Sequence, residues 1–243
     1  GKSFYMWYRN SNIGLYPFIT PDFGIVLSKK KFEKFASLIR TKQMKFIYSI
    51  LLIVPLGIFG SPKSFDFKDP KGVNTIIFQL DALLESINGS AAGISGTISY
   101  DPTKPESTKG SIFLDASSLR VDNSVLQEHM HGEDWLHVSK FPQVVFSLSN
   151  LRNIKTEARV LKATAEGKMT IRNVTIIMEV PVELTYLEGL LEKRNKTPGD
   201  LLVIRSKFKV KRDDFGINPG EYLDKVANEI EISINLAGAF PTQ

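Results

Sequence analysis

The sequence predicts an all-β domain, an eight-stranded antiparallel barrel with one short helical insertion. From about residue 73 onward, apolar and polar residues alternate with a period of two, and turn-forming residues separate the alternating segments. Hydrophobic residues make up 42% of the chain, enough for a core, and no cysteine is present to cross-link it. Closure into a barrel removes the exposed sheet edges that so many strands would otherwise leave.

The alternation is clearest in three segments, 174–186, 202–212 and 228–238. In the first of them, every second residue from Val174 to Tyr186 is apolar, and most of the intervening residues are polar. A period of two with one polar face is typical of an antiparallel sheet that is solvated on one side.

Further segments follow the same pattern less strictly and bring the predicted total to eight strands. They are 73–80, 93–100, 109–116, 143–151 and 157–171. A barrel of eight strands is just wide enough to be filled by its own side chains or to hold one slender ligand. Alternation is the same in both cases, so the pattern leaves both open.

One helix is predicted near residues 122–134. Asp122 or Asn123 provides its N-cap, and its apolar stripe consists of Val125, Leu126 and Met130. This helix interrupts the strand pattern between the third and fourth predicted strands.

The positive charge of the chain is confined to its N-terminal part. Residues 1–60 carry nine Lys and Arg against two Asp and Glu, a net charge of +7. Residues 61–243 carry 22 against 24, a net charge of −2. The predicted barrel is therefore not basic, and we predict no nucleic-acid partner for it.

A secretory signal peptide explains part of this N-terminal composition. Met44 is followed by a lysine and an apolar run from Phe46 to Phe59, which contains Pro55. The alternative is an uncleaved membrane anchor. The run is shorter than the roughly 20 residues that a membrane-spanning helix needs, which favours the signal peptide. We expect a bacterial periplasmic or secreted protein. The chain is thus predicted to consist of an upstream segment without assigned function (1–43), a signal peptide (44–64) and a barrel domain (65–243).

All three histidines of the chain lie within nine residues, at His129, His131 and His137, together with Glu133 and Asp134. One hypothesis is a metal-binding or enzymatic site, with the histidines as ligands or the two acids as an acid–base pair. Residues two apart do not share a helix face, so joint metal ligation requires an irregular turn. Adjacent acids seldom point at one reacting group, and no nucleophile accompanies them.

The competing hypothesis for this block is a structural lid. Trp135 and Phe141 then pack over one end of the barrel, and Pro142 starts the next strand. In this interpretation His129 forms a hydrogen bond to a neighbouring loop.

Several motifs of the chain resemble the YceI-like family in their order and approximate spacing. The resemblance covers about residues 73–238, nearly all of the predicted barrel. The block of histidine, Glu-Asp-Trp and Phe-Pro-x-Val-x-Phe is its most specific element. The motifs are GSAAGISGTISYDP, HMHGEDWLHVSKFPQVVFSLSNL, GKMTIRNVTIIMEVPVEL and RDDFGI.

The resemblance implies a lipocalin-like barrel around a long apolar cavity. Several family members are exported bacterial proteins that bind polyisoprenoid lipids such as isoprenoid quinones. The resemblance therefore implies a non-enzymatic protein that sequesters an isoprenoid quinone or polyprenol for storage or transport. It requires no cofactor, and transient membrane contact and a monomer or homodimer are compatible with it.

Candidate ligand-binding residues follow from this implied cavity and from the apolar strand faces. In the family this motif block lies near the cavity mouth, so His129 is a candidate contact for the polar head of a ligand. Each of the apolar candidates is equally suited to filling a solid core. They are Ile98, Leu114, Val144, Phe146, Leu148, Met169, Ile176, Met178, Val180 and Phe208.

Overall fold

The computed structural model describes residues 61–242, so the predicted segment 1–43 and most of the predicted signal peptide lie outside the described residues. The described chain is mainly β-structure with two short helices. The strands are β1 (Lys63–Asp66), β2 (Thr75–Asp81), β3 (Ser86–Ala91), β4 (Ile94–Tyr100), β5 (Lys109–Asp115), β6 (Arg120–Val121), β7 (Gln143–Glu157), β8 (Val160–Ile171), β9 (Val174–Leu187), β10 (Gly199–Lys211) and β11 (Glu229–Pro241). The helices are α1 (Ser124–His131) and α2 (Leu191–Asn195).

All strand pairs in the sheet are antiparallel, and the sheet closes on itself as an eight-stranded barrel. We call each of the eight strand positions around the barrel a wall. Three walls consist of two shorter strands each, namely β1 with β2, β3 with β4, and β5 with β6, and the other five are single strands. β11 pairs on one edge with β10 and on the other with both β1 and β2. The predicted all-β barrel is thereby confirmed.

The sequence missed β1, β3 and β6. β3 has the sequence SINGSA, in which apolar and polar residues do not alternate cleanly. Its Gly89 leaves room for a neighbouring aromatic ring, because a Cβ there would lie 2.1 Å from Cζ of Phe78. The glycine thus replaces a core side chain and weakens the pattern that marks a strand.

The hairpin between β8 and β9 shows how the sequence sets the register. Arg172 and Asn173 both have positive φ angles, 50° and 62°, as a two-residue type I′ turn requires. Ile171 then pairs with Val174, and the apolar alternation of both strands faces the interior. The predicted segment 157–171 includes the preceding turn, so β8 begins three residues later than predicted.

The inner and outer faces of β9 follow the predicted alternation. Val180 and Leu184 are buried, and the residues that precede them, Glu179 and Glu183, are exposed. Similar inward residues from the other walls join one continuous hydrophobic cluster.

Helix α1 confirms the predicted insertion, and Asn123 is its N-cap. The side-chain oxygen of Asn123 accepts a hydrogen bond from the backbone N–H of Leu126, at 2.9 Å. Leu126 and Met130 pack against a second hydrophobic cluster beside β2 and β3. Val125 does not, and the prediction that it belongs to the apolar stripe is wrong, since it is 60% exposed.

The excursion between β1 and β2 is fixed by buried polar groups. The side chain of Asn74 donates to the carbonyl of Phe67 at 2.9 Å and accepts from the backbone N–H of Ala237 at 2.8 Å. Arg194 on α2 pairs with the carboxylate of Asp69 at 2.9 Å. These contacts join the two halves of the first wall to the last strand and to α2.

At the end of the barrel where β10 begins, a hydrogen-bonded network fills the interior. Lys63 Nζ lies 2.6 Å from Asp200 Oδ2 and 2.8 Å from the hydroxyl oxygen of Tyr186. The hydroxyl of Tyr186 donates to the same carboxylate oxygen at 2.9 Å, and the N–H of Gly189 donates to the other oxygen at 2.7 Å.

Aromatic rings pack against this network. The ring of Phe65 lies 6.5 Å from that of Tyr100, 6.2 Å from that of Tyr186 and 5.9 Å from that of Phe240. Such edge and tilted contacts are favourable for aromatic pairs. We use the name plug for six residues: Lys63, Phe65, Tyr100, Tyr186, Asp200 and Phe240.

Among residues 61–242, no helix is long and apolar enough to cross a bilayer.

Candidate functional site: a cavity at the end of the barrel opposite the plug

A cavity of about 820 Å³ lies at the end of the barrel that carries α1. β10 runs from Gly199, beside the plug, to Lys211, beside this cavity, so plug and cavity are at opposite ends. Ligand pockets in proteins commonly measure about 300–1,000 Å³. The cavity therefore has the size of a binding site for a small or slender molecule.

The walls of the cavity are mainly aliphatic and aromatic. Leu114 and Val144 contribute from β5 and β7, and Ile232 contributes from β11. β2 and β3 contribute Phe78 and Ile87. An apolar cavity of this kind favours a ligand that is itself apolar.

Two segments, residues 132–142 and 212–228, cover the cavity, and we call them the lid. Arg212 anchors the second segment, and only 2% of its surface is exposed. Its guanidinium donates to the backbone carbonyl oxygens of Ile217, Asn218, Glu221, Val226 and Ala227. A single buried cation thereby fixes the loop that connects β10 to β11.

Trp135 joins the two lid segments. Its ring lies 5.7 Å from the guanidinium carbon of Arg212 and 5.9 Å from the ring of Tyr222. The side-chain N–H of Asn218 donates to the carbonyl of Asp134 at 3.1 Å. Stacking of arginine on tryptophan is among the stronger cation–π contacts.

The backbone of the lid is strained at non-glycine residues. His137, Asn218 and Tyr222 have φ angles of 48°, 43° and 54°. Side chains other than glycine disfavour this region, and residues held there cluster at ligand clamps and switch regions.

The three histidines do not converge on one point. His129 is exposed and lines the cavity. The His131 ring lies 3.0 Å from the carbonyl oxygen of Leu119, and His137 packs edge-on against Phe141. Residues 61–242 contain no group of three or more His, Cys, Asp and Glu side chains placed to hold a metal ion.

The predicted structural lid is present, with two corrections. Trp135 packs over the barrel end as expected, and β7 begins at Gln143, directly after Pro142. The hydrogen bond to a neighbouring loop is made by His131 and not by His129, because His131 is on the side of α1 that faces Leu119. Phe141 contacts His137 and the cation of Arg172 instead of lying with Trp135.

The structure divides the predicted ligand-binding residues into two groups. Leu114, His129 and Val144 line the cavity. The other eight lie in the barrel core and do not line it: Ile98, Phe146, Leu148, Met169, Ile176, Met178, Val180 and Phe208. Their contact with a ligand remains a prediction.

Phe146 shows how the core beneath the cavity is filled. A Cβ on Gly167 of the neighbouring strand would lie 2.7 Å from Cζ of Phe146, so the ring lies across the glycine. The ring therefore occupies part of the barrel core, two residues below Val144 on β7.

Sequence reasoning missed the lining contributed by β2 and β3 and by the lid. Phe78 belongs to a predicted strand, and its alternation with polar neighbours was the available signal. Arg212 and Tyr222 lie outside the strands, and no local pattern marks a buried cation that binds backbone carbonyls.

The match to known proteins extends over most of the described residues. A family profile described as YceI-like domain matches residues 70–238, more than half of the chain. The chain belongs to the YceI-like family. The resemblance inferred from its motifs is thereby confirmed. Protein YceI of Salmonella newport (strain SL254) is 26% identical over 184 residues, which cover 74% of this chain and 89% of that protein.

Solved structures of YceI-like and related proteins share the fold. BcnA of Burkholderia cenocepacia matches with a TM-score of 0.55 and 20% identity, over 68% of this chain and 95% of that one. The Campylobacter jejuni YCEI protein matches with a TM-score of 0.53 and 19% identity, over 63% and 85%. A polyisoprenoid binding domain from Saccharophagus degradans, implicated in plant cell wall breakdown, matches with a TM-score of 0.54 and 8% identity, over 74% and 99%. At these identities the likeness establishes the barrel fold.

Proposed function

We propose that this protein is a non-enzymatic carrier that holds one long isoprenoid lipid, of the quinone or polyprenol type, for storage or transport. The observation that carries this proposal is the cavity of about 820 Å³ with mainly apolar walls. Burial of apolar surface contributes about 25 cal/mol per Å². A polyprenyl chain therefore needs few directed polar contacts to bind there.

The relatives support the ligand class. The Saccharophagus degradans domain with the same fold is described as polyisoprenoid binding. The cavity walls of this YceI-like chain suit a ligand of that chemistry, because they come from strands whose inner faces are apolar along their length.

Export to the periplasm or cell exterior belongs to the same proposal and rests on the signal-peptide pattern at 44–64. Lys63 lies in β1 and pairs with the buried carboxylate of Asp200. Cleavage after Gly60 or Ser61 retains this pair, whereas cleavage after Ser64 removes it. We therefore favour one of the two earlier positions.

The test is native mass spectrometry of the full chain, produced in a bacterial host with export and purified without detergent. We expect an excess mass of several hundred daltons that is removed by organic solvent and yields an isoprenoid lipid on extraction. The Val144→Trp variant, which fills the cavity from β7, is the matched control and should carry less of the same lipid.

A protein that binds no lipid after incubation with vesicles containing polyprenols and isoprenoid quinones would contradict the carrier function. Stoichiometric zinc, copper or iron in place of the lipid would instead favour the histidine block as the active feature. Determination of the N-terminal residue of the exported protein checks the cleavage position in the same sample.

A further inference from the structure

The charged side chains that line the cavity are mostly acidic. Glu85, Glu128, Glu133 and Asp134 all line it, and all four are exposed at its mouth. They come from three places in the chain, namely the turn before β3, helix α1 and the first lid segment. The mouth is therefore surrounded by carboxylates on more than one side.

The cationic side chains that line the same cavity are Arg212 and Lys225. Arg212 is buried and donates to five backbone carbonyls of the lid, so its donors are already used. Of the described lining residues, Lys225 alone then remains to face an anion with a free ammonium group.

The sequence around the mouth extends this bias. Residues 122–142 and 212–228, which supply α1 and the lid, contain eight Asp and Glu but three Lys and Arg. Charges within a Debye length of about 8 Å still act on one another at physiological ionic strength. The excess of Asp and Glu around the mouth therefore repels an anion placed there.

An amphipathic lipid can enter the cavity in one orientation only. Its hydrocarbon chain gains by contact with the apolar walls, whereas burial of a polar head without partners is costly. The head of the lipid therefore lies at the mouth, beside Glu128, His129 and Glu133.

From this geometry we infer that the headgroup of the ligand is uncharged, and that the carboxylates at the mouth select against phosphate and diphosphate heads. This inference rests on the proposed lipid-binding function and adds the residues that discriminate against lipids with a charged head. The hydroxyl head of a polyprenol donates a hydrogen bond to a carboxylate, and a quinone head brings no charge. A phosphate monoester instead brings a second anion to the same place.

The experiment is a competition between two lipids that share one polyprenyl chain and differ in the head, a free polyprenol and its monophosphate. The full chain is incubated with phosphatidylcholine vesicles that contain equal amounts of both. Protein is then separated from the vesicles, and both lipids are quantified in the protein fraction. We expect polyprenol to exceed the monophosphate by about tenfold at low salt, and by less at high salt because the repulsion is screened.

A variant with Glu128→Gln, Glu133→Gln and Asp134→Asn tests whether the mouth is responsible. Its preference for polyprenol should fall several-fold, because the variant retains more of the monophosphate. The matched control neutralises three exposed acids away from the mouth, Glu106→Gln, Glu179→Gln and Glu183→Gln, and should keep the preference of the original chain.

Equal or greater retention of the monophosphate overturns the inference and leaves the carrier function intact. A polyprenol preference that persists in the mouth variant overturns the assignment to these three carboxylates. Retention of neither lipid contradicts the proposed function, and the inference with it.

Discussion

The two ends of the barrel satisfy their buried groups in opposite ways. At the plug, Lys63, Tyr186 and Asp200 bond to one another and aromatic rings fill the space around them. At the lid, the buried cation Arg212 binds backbone carbonyls of a long loop, and a large cavity remains beneath it. The plug is thus complete within itself, whereas the lid surrounds space for another molecule.

This difference indicates that the plug end contributes mainly to the stability of the fold, whereas the lid end is suited to binding a ligand. A filled interior gains dispersion contacts that a cavity lacks. His137, Asn218 and Tyr222 in the lid have positive φ angles, as do five non-glycine residues elsewhere among the described residues. A ligand that binds the folded state stabilises the lid end more than the plug, because the added contacts form there.

The largest effect on stability is expected from Arg212→Met. The variant removes the donor for five carbonyl oxygens and leaves several of them buried without a partner. We expect the free energy of unfolding to fall by about 3–5 kcal/mol, as for other buried cations that lose their bonding. Urea denaturation followed by far-UV circular dichroism measures it.

The control for Arg212→Met is Arg205→Met, because Arg205 is exposed on the outer face of β10, the strand that leads to Arg212. Its effect should stay within about 0.5 kcal/mol. A loss below about 1 kcal/mol for Arg212→Met would mean that Trp135, and not Arg212, holds the lid in place.

Filling the cavity should remove most of the bound lipid. Val144→Trp places an indole in the cavity, and we expect lipid retention to fall by about tenfold or more, equivalent to at least 1.4 kcal/mol. Phe146→Trp and Leu148→Trp alter the next inward positions below it on β7. Extraction and quantification of lipid per protein compares the three variants.

These variants also locate the far end of the ligand. If only Val144→Trp loses lipid, the ligand is confined to the cavity. Loss in all three variants means that the hydrocarbon chain passes the ring of Phe146 into the barrel core. Ile77→Trp, on the exposed face of β2, should retain lipid fully.

The plug is tested by Asp200→Asn. Burial opposes the ionisation of Asp200, but hydrogen bonds from Lys63, the N–H of Gly189 and the hydroxyl of Tyr186 hold its pKa below the ordinary value of 3.8. The variant leaves Lys63 without its ionic partner, and we expect a loss of about 2 kcal/mol in the free energy of unfolding at neutral pH. Chemical denaturation at pH 7 measures this loss.

The pH dependence of the same variant has a defined sign. Because the folded-state pKa of Asp200 is depressed, its contribution is present above the unfolded value and is lost as the pH falls through the folded pKa. The original chain should therefore lose more stability than Asp200→Asn between about pH 5 and pH 2. Hydrogen bonds to Asp200 and Tyr186 raise the pKa of Lys63, so its contribution declines only in strongly alkaline solution. If the free energy of unfolding falls equally for both proteins as the pH is lowered, the ionic role of the plug is contradicted.

The smallest effect is expected at the N-cap of α1. Asn123→Ala removes the acceptor for the N–H of Leu126 and should cost about 1 kcal/mol. Val125→Ala on the exposed face of the same helix should change stability by less than about 0.5 kcal/mol. Thermal unfolding of the two variants distinguishes a specific cap from a general effect on the helix.

The walls of the barrel were predictable from the sequence because alternation decides which face of a strand is buried. Val180 and Leu184 were assigned to the inner face correctly for this reason. Depth along the barrel was not predictable, since Val144 and Phe146 share one strand face and only Val144 reaches the cavity. Depth depends on how neighbouring strands are staggered, and alternation carries no information about that.

The lid was predictable only in its first segment. Trp135 stands in a recognisable motif, whereas its partners Arg212 and Tyr222 lie about 80 residues later in the chain. Which histidine faces Leu119 depends on the rotation of α1 against β6, and one short helix with a weak apolar stripe does not fix that rotation.

The closure of the barrel between its first and last walls also sets an order of events in folding. Asp66 pairs with Ala239, and β2 pairs with residues 231–235, so the wall is complete only when β11 is available. Contacts between residues far apart in the chain form slowly, because closing a long loop has the largest entropic cost. Until β11 pairs with β1 and β2, the sheet is therefore open, and the barrel, its plug and its cavity are completed only when β11 is in place.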